Sequence, residues 1–311
     1  LSKPKALVTG AGGSIGSELS RHLLSLGHDV YMLDHNEFSI YELSVELPEA
    51  HPILADIRDL YLMASVIEKV KPDIVYHCAA HKHVHFAESN PVEVIKNNVV
   101  ATMDLVETCF EHNIKVVFIS TDKAVEPTGI YGASKLIGEN LVLRYPSNTV
   151  VRLGNVLESR GSAIPLFKQQ IRQGGPVTLT HPEIKRFFMS IPEAVDLIIK
   201  AASLSPGIYY LDMGAPVSIK AIAEDLIKES GKPVEVVCTG LRPGERLEEK
   251  LVGSGTHAEP TRYAKVMRIK DQARIENFPE LIDELDVEVN SAFDDPSPIR
   301  EVLSRYIPSV K

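Results

Sequence analysis

The chain has 311 residues, 44% of them hydrophobic and 24% charged, an ordinary composition for a soluble globular protein. Its formal net charge of −9 argues against broad binding to nucleic acid or an anionic membrane surface, while leaving room for a local basic pocket that holds a phosphate. Three cysteines without a CxxC pair point to a reducing, cytoplasmic setting, and no apolar run is long enough to span a bilayer. In chain order, Lys5–Thr9 reads as a short buried strand. Gly10-Ala-Gly-Gly-Ser-Ile-Gly16 follows, then a helical pattern through Leu26 with apolar residues at Ile15, Leu19, Leu23 and Leu26. A second strand, Asp29–Leu33, ends at Asp34. Further strands are predicted at His51–Ala55, Asp73–Tyr76, Lys115–Ser120 and Thr149–Leu153, with helices at Asp59–Lys69, Pro91–His112 and Ile130–Arg144 between them. Strand and helix alternate without long gaps, which predicts an α/β fold with a doubly wound parallel sheet and helices on both faces.

After about Asn155 glycine and proline become frequent, as at Gly174-Gly175-Pro176 and Pro206-Gly207. Shorter elements are expected here: a helix near Pro192–Ser203, a strand near Ile208–Asp212 and a helix near Ser218–Ser230. A turn at Asp294–Pro298 precedes a last helix, Ile299–Tyr306. The expected division is a dinucleotide-binding domain over 1–158 plus about 187–214, and a smaller C-terminal substrate-binding lobe over about 159–186 plus 215–311. The first residue is Leu, so a processed chain or the cytoplasmic domain of a longer, membrane-anchored protein is expected.

Gly10, Gly13 and Gly16 form a GxxGxxG turn between the first strand and the first helix. Glycines at such a turn let the backbone approach a pyrophosphate seated on the helix N-terminus, beside Ser14 and Ile15. Eighteen positions after Gly16, Asp34 ends the second strand. A carboxylate there accepts both ribose hydroxyls and repels a 2′-phosphate, so NAD is favoured over NADP in this Rossmann-type arrangement. Asp56 and Ile57, after the third strand, are placed to meet the adenine, whereas Asp59 reads as a helix N-cap.

Ser120-Thr121-Asp122-Lys123, followed by Tyr131-Gly-Ala-Ser-Lys135, carries the chemistry. Tyr131 and Lys135 are four apart on one helix face. An ammonium near a phenol lowers its pKa, so Tyr131 can take a proton from a sugar hydroxyl as hydride leaves the carbon, and Thr121 can hydrogen-bond the same hydroxyl. YxxxK alone is a weak signal; after a dinucleotide fingerprint and a strand ending in Ser-Thr it is strong. Asp122 and Lys123 are a surplus that alcohol oxidation does not need. Once C4 of a hexose is a ketone, its C5 hydrogen is acidic, and an acid beside the C6 hydroxyl lets it leave as water. Lys123 is the expected base and Asp122 the expected acid. As an isolated dipeptide on a loop, Asp-Lys is instead an ordinary local ion pair.

These residues resemble the extended short-chain dehydrogenase/reductase superfamily, and within it the polysaccharide-biosynthesis, CapD-like group of UDP-N-acetylglucosamine 4,6-dehydratases. The resemblance covers most of the chain through TGAGGSIGSEL (9–19), HCAAHKHV (77–84), STDKAVEPTGIYGASKLIGE (120–139), RLGNVLESRGSAIPLF (152–167), THPEIKRFFMSIPEAV (180–195) and GLRPGE (240–245). It implies that Asn98 supports the active site and that Ala79, Ala80 and Lys82 lie along the cofactor, Lys82 also beside the sugar. It implies that Asn155 meets the nucleotide-sugar, that Arg186 and Arg242 hold a uridine diphosphate, and that Glu245 holds its ribose. Relatives associate, so a homo-oligomer is expected. The chain departs from the common pattern at His85, where proline is usual, and at Glu248, where an aromatic is usual.

His77, His81, His83 and His85 alternate along a strand-to-loop segment and so point to different sides; no metal site is expected. Cys78 reads as a small apolar residue rather than a nucleophile. The implied function is NAD-dependent dehydration of UDP-N-acetylglucosamine for surface glycans. Two alternatives are a UDP-sugar 4-epimerase, which needs no Asp122–Lys123 pair, and a non-enzymatic nucleotide-sensing or scaffold protein with a retained fold.

Overall fold

The computed structural model describes residues 3–272, 274–291 and 297–310. Six parallel strands build the first half: β1 (Lys5–Thr9), β2 (Asp29–Asp34), β3 (His51–Leu54), β4 (Ile74–His77), β5 (Lys115–Thr121) and β6 (Thr149–Leu153). They lie in the order β3-β2-β1-β4-β5-β6. Every residue of β6 is buried, as expected of a parallel strand covered on both faces, whereas β3 at the sheet edge is largely exposed. The order reverses between β1 and β4, so a crevice opens beyond the carboxyl ends of these two strands.

Helices cover both faces. On one face α1 (Ser14–Ser25) buries Leu19 and Leu23, and α9 (Ile191–Ala202) buries Val195 and Ile198 against β1, β2 and β6. On the other, α3 (Leu60–Val70) and α6 (Ala101–Glu111) cover Leu7, Val75, Val116 and Phe118. The Asp59 carboxylate accepts from the Leu62 N–H, so the expected N-cap holds α3. The helix expected over Pro91–His112 is interrupted: α5 (Pro91–Ile95) passes into a π-helical turn over Lys96–Val100 before α6 begins. The extra residue per turn re-aims the Asn97 and Asn98 side chains, which an unbroken 3.6-residue pattern does not reveal.

Among the described residues four helices lay outside the sequence reading: α2 (Glu37–Glu46), α4 (Val84–Ser89), α8 (Ala163–Arg172) and α11 (Phe278–Ser291). After β5 the chain continues as α7 (Ile130–Val142), then, beyond β6, as α8 (Ala163–Arg172). Strand Gly207–Leu211 adds parallel to β6. The sheet then ends on two antiparallel strands, Val266–Lys270 and His257–Pro260. These two lie inside the expected 215–311 lobe, so that boundary differs from the hydrogen bonding, which assigns them to the large sheet. The smaller unit is instead built by α8, α10 (Ile219–Ser230) and the paired strands Val177–Leu179 and Val236–Cys238 around Phe167, Ile171 and Ile184. At the C-terminal end α11 (Phe278–Ser291) and α12 (Ser297–Tyr306) pack on α5 and α7 through Leu281, Leu285 and Leu303. The expected turn lies mainly outside the described residues, and its Ser297 and Pro298 already belong to α12.

Candidate active site

The glycine-rich turn follows from what β1 and α1 need to meet. Gly10 has φ +67°, and a Cβ there would lie 2.6 Å from the Ala79 nitrogen. A Cβ on Gly16 would lie 2.2 Å from the Gly10 carbonyl oxygen. Both positions therefore require glycine, and Gly13 caps α1 with no side chain over its N–H groups. The cleft beside this turn has a volume of about 140 Å³ and is lined by Gly10, Gly13, Asp34, Ile57, Ala79 and Ala80 among others. Asp34, buried at 8% exposure, accepts from the Gly12 N–H at 2.9 Å and the Asn36 N–H at 2.9 Å, which aims the carboxylate along the cleft rim. The apolar floor, the bare helix N-terminus and the rim carboxylate suit a dinucleotide.

Asp56, Ser14 and Ile15, expected along the cleft, are placed differently. Asp56 does not line the cleft; its carboxylate is turned onto Arg58, accepting from Nε at 3.0 Å and NH2 at 2.5 Å, and the Arg58 hydrogen bonds hold its pKa down. Ser14 carries a partner from a distant segment: its Oγ accepts the Arg160 N–H at 3.1 Å, while the Arg160 guanidinium donates to the Gly12 carbonyl at 3.1 Å and to Ser39 Oγ at 3.0 Å. Ile15 packs into the core beneath. The sequence reading gave Arg160 no role, although it sits within the Arg152–Phe167 motif.

Asn98 ties the 77–84 loop to α7. Its Nδ2 donates to the His81 carbonyl and to Ser134 Oγ, both at 3.0 Å, and its Oδ1 accepts the His81 N–H at 2.8 Å. Lys82, next along this loop, is solvent-exposed on one side, and the protein packed on the other pulls its ammonium pKa down. His77 is a buried core residue between Thr9 Oγ1 (2.7 Å) and Thr102 Oγ1 (3.0 Å), and burial drops its pKa to about 3. Among the described residues no three His, Cys, Asp or Glu side chains gather in a metal-binding group. Burial pushes the Cys78 thiol up to about 12, far from a thiolate nucleophile.

The reacting cluster sits where β5 ends and α7 begins. Thr121 Oγ1 donates to Asp122 Oδ1 at 2.9 Å, and Lys123 Nζ donates to the same oxygen at 2.9 Å. Asp122 is fully buried and its Oδ2 has no protein donor. Asn155 Oδ1 lies 3.4 Å from Lys123 Nζ. Tyr131 and Lys123 line one small pocket with Arg246 and Glu249. Burial works to lower the Lys123 pKa, but Asp122 and Glu249 outweigh it, so the group is held as ammonium. Burial raises the Tyr131 pKa above the ordinary phenol value; Lys123 and the Thr121 hydroxyl work the other way.

The sequence reading made Lys135 the ammonium that serves Tyr131. Lys135 Nζ lies 3.8 Å from the centre of the Phe118 ring, and burial lowers its pKa to about 7; Lys123 is a second cation that works to lower the Tyr131 pKa. Behind both, Glu139 accepts from Ser120 Oγ at 2.6 Å and from Arg152 at 2.7 and 2.5 Å, a buried bidentate pair that locks α7 against β5 and β6.

Arg186 is 8% exposed and clamps the segment after GLRPGE, donating to the Arg246 carbonyl at 2.8 Å and the Leu247 carbonyl at 3.0 Å. Arg242 is exposed, and its N–H bonds to Glu245 Oε2 at 3.1 Å. The arginine that enters the pocket is Arg246, whose NH1 donates to the Val125 carbonyl at 2.9 Å. Arg246 and Glu249 escaped the sequence reading because charged residues in a turn-rich segment usually face solvent. Their signal was the run of alternating charges directly after GLRPGE.

A family model described as "Polysaccharide biosynthesis protein" matches residues 6–271. The chain is 43% identical over 302 residues to the capsular polysaccharide biosynthesis protein CapD of Staphylococcus aureus, covering 91% of this chain and 50% of that protein. It thus spans about half the length of that relative. It is 31% identical over 289 residues to the UDP-glucose 4-epimerase of Rickettsia conorii, covering 88% of this chain and 84% of that protein. The solved structure of Pen from Bacillus thuringiensis superposes with a TM-score of 0.75 at 31% identity, over 79% of this chain and 82% of Pen. The glycine turn, the switch-point cleft and the Thr-Asp-Lys/Tyr cluster thus occur in a chain that belongs to the polysaccharide biosynthesis protein family, as a CapD-like short-chain dehydrogenase/reductase.

Proposed function

We propose that this protein is an NAD-dependent 4,6-dehydratase acting on UDP-N-acetylglucosamine, supplying a UDP-4-keto-6-deoxy-hexosamine for surface polysaccharide. The observation that carries this reading is the buried Thr121–Asp122–Lys123 hydrogen-bonded chain beside Tyr131. Gly10, Gly13, Asp34, Ile57, Ala79 and Ala80 would hold the cofactor, and the Asp34 carboxylate at the rim favours a ribose bearing a free 2′-hydroxyl. When bound, NAD supplies the acceptor that takes hydride from C4 of the sugar and later returns it to C6.

Tyr131 takes the C4 hydroxyl proton, with Lys123 supplying the cation that offsets the forming phenolate. One proton passing from Lys123 Nζ to Asp122 Oδ1 across 2.9 Å turns the ion pair into an amine and a carboxylic acid. The amine removes the C5 proton once C4 is a ketone. The acid gives its proton to the C6 oxygen, which leaves as water, and the Lys123 ammonium returns a proton to C5 of the resulting alkene as C6 is reduced, so that overall the sugar loses one molecule of water. Arg246, which lines the pocket, suits the diphosphate, for which planar guanidinium forks are well shaped, while Arg186 donates to the Arg246 and Leu247 carbonyls and holds that segment in place.

The 31% identity to a UDP-glucose 4-epimerase supports a second reading, in which hydride returns to C4. Incubation of the holoenzyme with UDP-N-acetylglucosamine in deuterated water separates the two. Loss of water with deuterium at C5, read by mass spectrometry and NMR, is the expected result. An unchanged mass with inverted C4 would sink the dehydratase in favour of the epimerase, and absence of turnover with dinucleotide still bound would favour a binding protein.

A further inference from the structure

Glu249 has no part in the steps above, yet it is the most crowded charged group in the pocket. Its side chain is 3% exposed. Oε1 lies 3.7 Å from Lys123 Nζ and 4.0 Å from Arg186 NH2, and Oε2 lies 3.9 Å from Arg246 NH1. No protein group donates a hydrogen bond to Oε2. A buried carboxylate is costly unless paired, and this one is surrounded by three cations rather than by backbone N–H groups. The 246–249 segment is held in place by other contacts, chiefly the Arg186 and Arg246 bonds to backbone carbonyls. The Glu249 charge is therefore free to act on Lys123.

We propose that Glu249 is a positioning residue that fixes the place and the charge of Lys123. This deepens the dehydratase reading and rests on it only where Lys123 is taken as the base. Lys123 is faced by Asp122 from its own turn, Tyr131 from α7, Asn155 after β6, Arg186 from the strand Lys185–Arg186, and Glu249. Of these, only Asp122 and Glu249 carry negative charge as carboxylates, and Arg186 opposes them. Asp122 is the partner that exchanges a proton with Lys123. Glu249, at longer range and shared with two arginines, biases that exchange by its field and keeps the ammonium from swinging out of the pocket. Removing its charge makes the neutral amine easier to form.

The test reads Lys123 directly. The holoenzyme is trace-labelled with acetic anhydride across a pH series, and acetylation of Lys123 is followed by peptide mass spectrometry, since only the neutral amine reacts. Glu249→Gln is expected to move the midpoint down by about one pH unit, the lower end for a charge within 4–6 Å. Glu249→Asp, with its carboxylate withdrawn by one methylene, is expected to move it less, in the same direction. Should the glutamine variant fail to fold, the aspartate variant carries the test. A midpoint within error of wild type in the folded variants would overturn the proposal, because a purely structural role leaves it unmoved. The dehydration rate with UDP-N-acetylglucosamine is measured over the same pH series, and its falling limb, where the Lys123–Asp122 pair loses the proton that the C6 oxygen needs, is expected to follow the labelling midpoint. If labelling shifts and that limb stays, Glu249 governs Lys123 as proposed and Lys123 is not the base. That outcome would count against the dehydration mechanism alone.

Discussion

Half-buried Lys123 and buried Lys135 are pushed in opposite directions, and the difference defines what each can do. Lys123 has Asp122 and Glu249 within reach and stays charged; around Lys135, stacked on Phe118, burial outweighs the pull of Glu139, and its pKa falls to about 7. The folded-state value of Lys135 lies below its ordinary 10.5, so its charged form opposes folding. The penalty is full below about pH 7, shrinks as pH rises toward 10.5 and is gone above it. Lys135→Met is therefore expected to raise stability at pH 6 by a few kcal/mol, in the direction of roughly 1.4 kcal/mol per pKa unit, and to lose that advantage by pH 10. Denaturant melts at the two pH values measure it, and an equal gain at both would contradict the buried-charge account. Lys123→Ala is expected to abolish water loss from the sugar while leaving single-turnover formation of reduced nicotinamide measurable; dehydration near the wild-type rate would remove Lys123 from the base role. At this scale the sequence disclosed Thr121, Asp122, Lys123 and Tyr131, because they are neighbours on one strand end and one helix. It did not disclose Glu249 or Arg246, which reach the same pocket from more than a hundred residues away and look like surface charges until the chain is folded.

Strands with strong apolar signals were legible as elements: β1 and β6 coincide with the expected spans, since buried parallel strands carry nearly continuous apolar runs. Elements without such a signal were not. Helix α2 leaves Phe38, Tyr41 and Val45 exposed, so its apolar residues do not mark one buried stripe. The π-turn at Asn98 cannot be read from a 3.6-residue period, yet it supplies the side chain that fixes the His81–Lys82 loop. The segment after β6 is the other element that local pattern could not place. It reaches both rims of the cleft: Arg160 bonds the glycine turn, and Gly161 (φ +71°) lies so near the His83 ring that a Cβ would meet it at 2.5 Å. Arg160→Ala removes the hydrogen bonds to Gly12 and Ser39, worth about 1 kcal/mol together for an exposed side chain, or roughly fivefold in affinity. Dinucleotide titration by fluorescence is expected to show that weakening with the fold intact by circular dichroism. An unchanged dissociation constant would mean that the segment merely rests on the glycine turn.

Across the molecule, the end of β5, the start of α7 and the 244–249 segment meet at the pocket, and the last two helices pack on α5 and α7 behind it. The antiparallel strands His257–Pro260 and Val266–Lys270 return to the sheet because their apolar faces, including Val266 and Ile269, find cover only there. That return was not legible, since short strands carry little periodicity and their partners lie far away in sequence. The brace centres on Glu88 of α4. Its carboxylate accepts the Ile130 N–H at 2.9 Å, satisfying a free donor at the first turn of α7, and pairs with Arg300 of α12. The same side chain is wedged between Gly129 and Gly244, where a Cβ would lie 2.4 and 2.6 Å from Oε1. One carboxylate thus joins the catalytic helix, the GLRPGE turn and the C-terminal helices, and Tyr131 is the next residue after its Ile130 contact. Glu88→Ala leaves the Ile130 N–H buried without an acceptor and removes the ion pair, and is expected to cost about 2–3 kcal/mol of stability. It should also slow Tyr131-dependent C4 oxidation, because the first turn of α7 loses its anchor. Glu88→Gln keeps an acceptor for Ile130 and gives up the charge, so it should recover most of the oxidation rate while remaining less stable than wild type. Denaturant unfolding and single-turnover reduction of the nicotinamide separate the two effects. If both variants oxidise C4 at the wild-type rate despite lower stability, the C-terminal helices hold the fold together without setting the position of Tyr131.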